Sequence, residues 1–202
     1  MKTKIALLGG AFNPITKGHM QAALFVLNSS FSFDEIWLMP CYSHAYQKKM
    51  VSPVHRLAMC SLSTLNNVRI KVFDYEIRQK YEGGTYYIIK KLLEDKSFIN
   101  FYDFSIIIGL DNANTFDMWI EHEKLKRLIR FVVVPRQGTE IDHKINWYLN
   151  PPHIYLAAEN PIMKVSSTQV RNLLKSGDFT AVKDFLDHTV LDYIGRHNLY
   201  KE

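Results

Sequence analysis

Ile5-Ala6-Leu7-Leu8-Gly9-Gly10-Ala11-Phe12-Asn13-Pro14-Ile15-Thr16-Lys17-Gly18-His19 is the stretch on which the fold of this chain turns. Residues 5–8 are four consecutive apolar side chains, the mark of a short strand buried on both faces, and Gly9-Gly10 ends it. From residue 19 to 27 the pattern changes to a helix, with Met20, Ala23, Leu24 and Leu27 on one face. A glycine turn between strand and helix lets the backbone approach a bulky anion with no Cβ in the way. The helix start adds free N–H groups and the positive end of the dipole. Thr16 and His19 are three residues apart, so both can face that anion from the opening turn. A histidine there can donate hydrogen bonds to phosphate oxygens as charge develops. The loop is not a Walker A loop, because the closing Gly-Lys-Ser/Thr is missing.

Working outward, the same alternation repeats. Residues 35–39 read as a second strand stopped by Pro40. Ser52-Pro53 reads as a helix start, continued through residue 65. Residues 68–73 read as a third strand, and 86–93 as a helix with Thr85 as its candidate cap. Residues 105–108 form an apolar strand ending at Gly109, 117–128 look helical, and 131–134 form another strand, ended by Pro135. Residues 154–157 read as the last strand, and the loop 137–150 as irregular. From residue 168 the pattern is purely helical: Val170, Leu173 and Leu174 share a face, Gly177 is a stop, and helices follow at 179–186 and 190–194. Apolar strands alternating with helices predict an α/β fold, a Rossmann-like doubly wound and mostly parallel sheet with a small helical C-terminal portion. One domain spanning 1–202 is expected, with 168–202 as the helical portion. Ligands of such sheets bind beyond the carboxyl ends of the strands, marked here by Gly9-Gly10, Pro40, Gly109 and Pro135.

Composition narrows the function. The chain has 202 residues, 47% of them hydrophobic, enough for a sizeable core without disulfides. Its two cysteines, Cys41 and Cys60, stand in no CxxC or Cys/His cluster, so neither zinc nor a disulfide framework is expected, and buried thiols suit a reducing cytoplasm. The apolar run 5–8 is too short for a signal peptide, and no run approaches the roughly 20 apolar residues of a membrane helix. A soluble, cytoplasmic protein with no membrane partner is expected. Net charge is +5 and pI about 9.1, a mild excess that favours anionic small molecules. The cations are scattered apart from Lys48-Lys49, Lys90-Lys91 and the group from Lys124 to Arg130. No concentrated basic stripe argues for nucleic acid.

A second motif, Val165-Ser166-Ser167-Thr168-Gln169-Val170-Arg171, places consecutive hydroxyls ahead of a helix. They are good N-caps, and they direct hydroxyls and backbone amides toward a second anion. Arg171, one turn in, can clamp the same phosphates with a planar and permanently charged fork.

Together, Gly9-Gly10-x-Phe12-x-Pro14…Gly18-His19 and Ser166-Ser167-Thr168-x-x-Arg171 resemble the HxGH-type nucleotidyltransferase superfamily. Within it the chain is similar to the nicotinamide or nicotinate mononucleotide adenylyltransferases. The resemblance runs nearly end to end, through the segment 40–49, His55-Arg56, Gly109-Leu110-Asp111, Trp119, Arg136-Gln137-Gly138 and the ending His197-Asn198-Leu199-Tyr200. The segment 45–49 and the ending look more like the eukaryotic-type enzymes than the common bacterial nicotinate type. One departure is that Thr16 stands at the first position of the HxGH motif. The eukaryotic-type branch shares that threonine, and it places more of the phosphate contact on His19.

The resemblance implies ATP contacts from Gly9, Gly10, Phe12, Thr16, His19, Ser167, Thr168 and Arg171. It implies acceptor contacts from Lys48, Thr85, Gly109, Asp111, Trp119 and Arg136, and a catalytic set of His19, Arg171 and Lys48. Several of these have a second reading in the residues themselves. Lys48 can be a solvated loop lysine. Asp111 can cap a helix while accepting ribose hydroxyls. Trp119 can be core and Thr85 merely a cap.

The implied reaction joins the AMP of ATP to nicotinate or nicotinamide mononucleotide, giving deamido-NAD or NAD and pyrophosphate. The acceptor phosphate is already an anion, so no general base is required, and the site's work is to bring two anions together and neutralise developing charge. Mg²⁺ is expected with ATP, held by nucleotide oxygens and water, since the motifs offer no carboxylate cage and no metal site of the protein's own. Eukaryotic-type relatives form oligomers, so a homo-oligomer is possible. The rival readings are another transferase of the superfamily, such as a phosphopantetheine adenylyltransferase or a cytidylyltransferase, and a nucleotide-sensing module without turnover. RNA binding rests on pI alone and would carry a steep salt slope.

Overall fold

The structure is a computed structural model and describes residues 1–43, 49–159 and 161–201. In chain order its elements are β1 (Thr3–Gly10), α1 (Lys17–Leu27), β2 (Glu35–Pro40), α2 (Pro53–Thr64), β3 (Ile70–Val72), α3 (Tyr75–Arg78), α4 (Thr85–Glu94), α5 (Lys96–Ile99), β4 (Tyr102–Gly109), α6 (Leu110–Ala113), α7 (His122–Leu128), β5 (Arg130–Val134), β6 (Ile154–Tyr155), α8 (Ser167–Ser176), α9 (Phe179–Phe185) and α10 (His188–Arg196). Short 3-10 turns lie at Phe116–Met118 and Trp147–Leu149.

The strands form one sheet in the order β3-β2-β1-β4-β5-β6, and every pairing is parallel. The chain winds outward from β1 through β2 to β3, then returns to lay β4 against the other side of β1. That reversal is the topological switch point, and it opens a crevice beyond the carboxyl ends of β1 and β4. The apolar runs alternate between two cores. Ile5 and Leu7 join Ile106, Ile108, Phe131 and Val133 under α4, α6 and α7. Ala6 and Leu8 join Ile107, Val132 and Val134 under α1, α2 and the C-terminal helices α8, α9 and α10. Near-continuous apolar strands are what a sheet covered on both faces demands.

The structure corrects several local expectations. The helix expected at 117–128 is broken. Phe116 is held by aromatic neighbours, stacked on Trp147 at 4.5 Å and tilted against Trp119 at 5.3 Å. Trp119 is extended, Glu121 is left-handed at φ 56, and the helix begins only at His122. Tertiary packing overrides propensity there. Thr85 is the first helical residue of α4 and Gly84 is the N-cap, with no side-chain cap bond. The strands expected at 68–73 and 154–157 shorten to Ile70–Val72 and Ile154–Tyr155 at the two sheet edges. Helices α3, α5 and α6 are four residues each, too short for periodicity to announce. The predicted stop at Gly177 is present as a left-handed C-cap at φ 75. Cys41 and Cys60 are free thiols, pushed up to about 11 and about 12, chiefly by burial. Among the described residues, no helix is long and apolar enough to cross a membrane.

Candidate active site

The glycine loop is built by its own side chains. Phe12 is 1% exposed, with φ 45, and its ring folds back beneath Gly10, where a Cβ would sit 3.3 Å from the ring. That close approach, not only access for an anion, calls for a glycine at position 10. A Cβ at Gly9 would meet nothing, so Gly9 leaves the cavity floor open. Thr16 is the N-cap of α1, and His19 reaches back to it. Thr16 N–H donates to His19 Nδ1 at 3.0 Å, and Thr16 Oγ1 lies 2.8 Å from the same nitrogen. The His19 ring also meets Phe12 edge-on, with centroids 5.1 Å apart. Burial, and then the charge of Arg136, push this imidazole down to about 4.

The second motif meets the first. Ser166 caps α8 by accepting from Gln169 N–H at 3.1 Å. Ser167 Oγ donates to Pro14 O at 2.8 Å, and Arg171 donates to Asn13 O at 2.8 Å and to Thr168 Oγ1 at 3.1 Å. Gly18 completes the junction, because a Cβ there would fall 2.7 Å from Val165 Cγ1. The starts of α1 and α8, separated by about 150 residues of sequence, are thus fastened side by side. Both can offer donors to one anion.

At the ends of β4 and β5, Arg136 donates to Asp111 Oδ2 at 2.7 Å and to Val165 O at 2.7 Å. Asp111 Oδ1 is buried and has no partner among the described residues. A Cβ on Gly109 would clash with that oxygen, so glycine lets the carboxylate fold back over the strand end.

Two adjoining cavities open over β1 and β4. One, of about 260 Å³, is lined by Thr16, His19, Gly109, Asp111, Arg136 and the glycines of β1. The other, of about 530 Å³, is lined by Cys41, Glu76, Thr85, Met118 and Ile120 among others. Gly9, Gly10, Asn112 and Trp119 face both. The residues expected on the acceptor side therefore divide. Thr85 lies in the larger cavity and Trp119 on the partition, while Gly109, Asp111 and Arg136 share the smaller cavity with His19. Lys48 lies outside the described residues.

Four residues to which sequence reasoning assigned no role, Arg56, Glu76, Asn13 and Tyr200, hold this arrangement. Arg56 is fully buried and donates to the carbonyls of Val51, Ala11, Cys41 and Tyr42 at 2.6–3.2 Å. Glu76 accepts from Tyr42 N–H at 3.1 Å, and its carboxyl is pushed up to about 7 by burial, against the pull of that N–H and of Arg56. The Cys41–Tyr42 peptide unit thus lies between a buried guanidinium on its carbonyl and a buried carboxyl on its N–H. Asn13 accepts from Val51 N–H at 3.2 Å and from Tyr200 Oη–H at 2.9 Å. The His55-Arg56 pair and the Tyr200 ending stood out in the sequence only by resemblance. No local pattern signals a buried arginine that bonds carbonyls.

The chain resembles known proteins over nearly its whole length. The family model described as cytidylyltransferase-like matches residues 7–173, a span holding both loop motifs. A protein of Enterococcus faecalis, named probable nicotinate-nucleotide adenylyltransferase, is 32% identical over 205 residues, covering 100% of this chain and 86% of its own length. One of Myxococcus xanthus with the same name is 32% identical over 198 residues, covering 98% and 94%. Among solved structures, Plasmodium falciparum nicotinic acid mononucleotide adenylyltransferase complexed with NaAD matches with a TM-score of 0.84 at 26% identity, covering 99% of this chain and 98% of that one.

Proposed function

The chain belongs to the cytidylyltransferase-like family and, within it, to the nicotinate-nucleotide adenylyltransferases, and we propose that its acceptor is nicotinate mononucleotide, adenylylated from ATP to give deamido-NAD and pyrophosphate. The observation that carries this is the pair of cavities meeting at Gly9 and Gly10, one beside the fastened helix starts and the other beside α4. ATP occupies the smaller cavity. Its phosphates lie across the starts of α1 and α8, where His19, Thr168 and Arg171 supply donors, and the free Oδ1 of Asp111 accepts from a ribose hydroxyl. The mononucleotide occupies the larger cavity with its pyridine ring against Trp119.

Nicotinate is favoured over nicotinamide by the start of α4. That helix has no side-chain cap and no acidic residue in its first turn, and Gly83, Gly84 and Thr85 line the cavity. Uncapped N–H groups at a helix start donate more favourably to a carboxylate than to a neutral amide.

In the reaction a non-bridging oxygen of the acceptor's 5′-phosphate attacks the α-phosphorus of ATP. The bond from that phosphorus to the bridging oxygen breaks, and pyrophosphate leaves with the electron pair. The residues position two anions and neutralise charge, and no side chain need remove a proton. Among the described residues, no group of three or more His, Cys, Asp or Glu side chains could hold a metal ion. Mg²⁺ is proposed to arrive on the triphosphate, coordinated by nucleotide oxygens and water, where it supplies charge neutralisation. The proposed partners are these small molecules, in the cytoplasm.

The test is product analysis after incubation with ATP, Mg²⁺ and each mononucleotide in turn. Deamido-NAD formed at a higher kcat/KM than NAD is the expected result. A preference for the amide would overturn the assignment of α4, and no dinucleotide from either would overturn the reaction.

A further inference from the structure

His19 Nδ1 has two hydrogen-bond neighbours, both from Thr16: the main-chain N–H at 3.0 Å and Oγ1 at 2.8 Å. A main-chain N–H can only donate, so Nδ1 must present its lone pair and the ring proton must sit on Nε2. Rotating the ring by half a turn would replace Nδ1 with a C–H and leave the Thr16 N–H without its acceptor. The ring also packs edge-on against Phe12, itself 1% exposed. Orientation and tautomer are therefore both fixed before any ligand arrives, with the Nε2–H edge turned away from Thr16 on a side chain that lines the smaller cavity.

We infer that Thr16 is a positioning residue that holds His19 as the Nε2–H tautomer, so that His19 acts as a fixed neutral donor to phosphate oxygens and not as an acid that gives up its proton. The inference rests on the adenylyl transfer proposed above and adds the state in which its histidine works. Adding a proton at Nδ1 would set that N–H against the Thr16 N–H. Among the described residues, the charged groups that line the cavity with His19 are Arg136 beyond β5 and Asp111 on α6, and the Asp111 carboxylate is already paired with Arg136. Arg136 repels an imidazolium, in the same sense as burial. A threonine at the first position of the motif therefore supports the second-position histidine from behind, and need not touch phosphate itself.

The test reads the tautomer directly. Long-range ¹⁵N–¹H spectra of the full-length protein, uniformly ¹⁵N-labelled and free of ligand, are recorded at pH 7, with His19 among the eight histidines assigned by its loss in His19→Gln. The Nε2–H pattern is expected. An Nδ1–H pattern or an imidazolium overturns the inference, and this readout requires no turnover. In the kinetic arm, Thr16→Val keeps the main-chain donor and removes the hydroxyl. It is expected to lower kcat about tenfold with KM for ATP within about twofold, and Thr16→Ser is expected to restore kcat. An unchanged kcat in Thr16→Val overturns the positioning role of the Thr16 side chain, with the main-chain N–H left as the group that sets the tautomer. If the wild type forms no dinucleotide, the proposed reaction fails while the spectrum still decides the tautomer. If Thr16→Val does not fold, the wild-type spectrum decides alone.

Discussion

Tyr200 Oη donates to Asn13 Oδ1 at 2.9 Å, joining two residues 187 positions apart in the chain. Asn13 is 4% exposed, its carbonyl is held by Arg171, and its Oδ1 also receives Val51 N–H. The loop before α1, the segment leading into α2, the arginine of α8 and the final turn of the chain thus meet at one residue, Val51 and Tyr200 through the side chain of Asn13 and Arg171 through its main-chain carbonyl. Tyr200 adopts φ 64 to reach it, a left-handed conformation that costs a bulky residue free energy.

Tyr200→Phe removes one hydrogen bond and keeps the packing. A loss of about 1 kcal/mol in stability is expected, with a several-fold fall in kcat/KM for ATP because Asn13 presents its carbonyl to Arg171 less firmly. Urea denaturation and steady-state kinetics measure both. Reduced stability with unaltered kinetics would make Tyr200 a structural residue only.

Gly18→Ala tests the junction of α1 and α8. In an exposed helix this change gains about 0.5–1 kcal/mol. Here the new methyl would fall 2.7 Å from Cγ1 of Val165, a stiff β-branched side chain that is 3% exposed. A net loss of about 1–3 kcal/mol is expected, with weaker ATP binding as the two helix starts separate. A thermal melt showing increased stability would refute the tight contact.

Arg171→Lys keeps the charge and loses the fork that reaches Asn13 O and Thr168 Oγ1 from two different nitrogens. A single ammonium cannot hold both and face a phosphate. A fall of about tenfold or more in kcat/KM for ATP is expected, equivalent to roughly 1.4 kcal/mol of transition-state stabilisation. Kinetics matching the wild type would leave charge alone as the requirement.

Glu76→Gln keeps an acceptor for Tyr42 N–H and removes a titrating group. The Glu76 carboxyl is raised from 4.5 to about 7. Between those values the folded protein holds a proton that the unfolded chain has released, so this group's contribution to stability falls as pH rises through that window. The difference in Tm, variant minus wild type, is expected to become more positive from pH 5 to pH 8. Melts at four pH values follow it, and a constant difference would mean that Glu76 does not titrate there.

The sequence by itself determined the elements whose signals are local. Apolar runs at 5–8, 106–108 and 131–134 announce strands covered on both faces, because successive residues of a buried strand face apolar cores on opposite sides. The glycine turn before Gly18-His19 and the hydroxyls before Arg171 announce helix starts suited to anions, because capping and close backbone approach act within a few residues. Only the tertiary structure decided what depends on distant partners. It buried Arg56 among four carbonyls, set Glu76 and Arg56 on either side of one peptide unit, folded Asp111 against Arg136, and broke the helix expected at 117–128 around Phe116 and Trp119. It also divided the expected acceptor residues between two cavities. Desolvation and the meeting of segments far apart in the chain set these features, and no window of neighbouring residues encodes either.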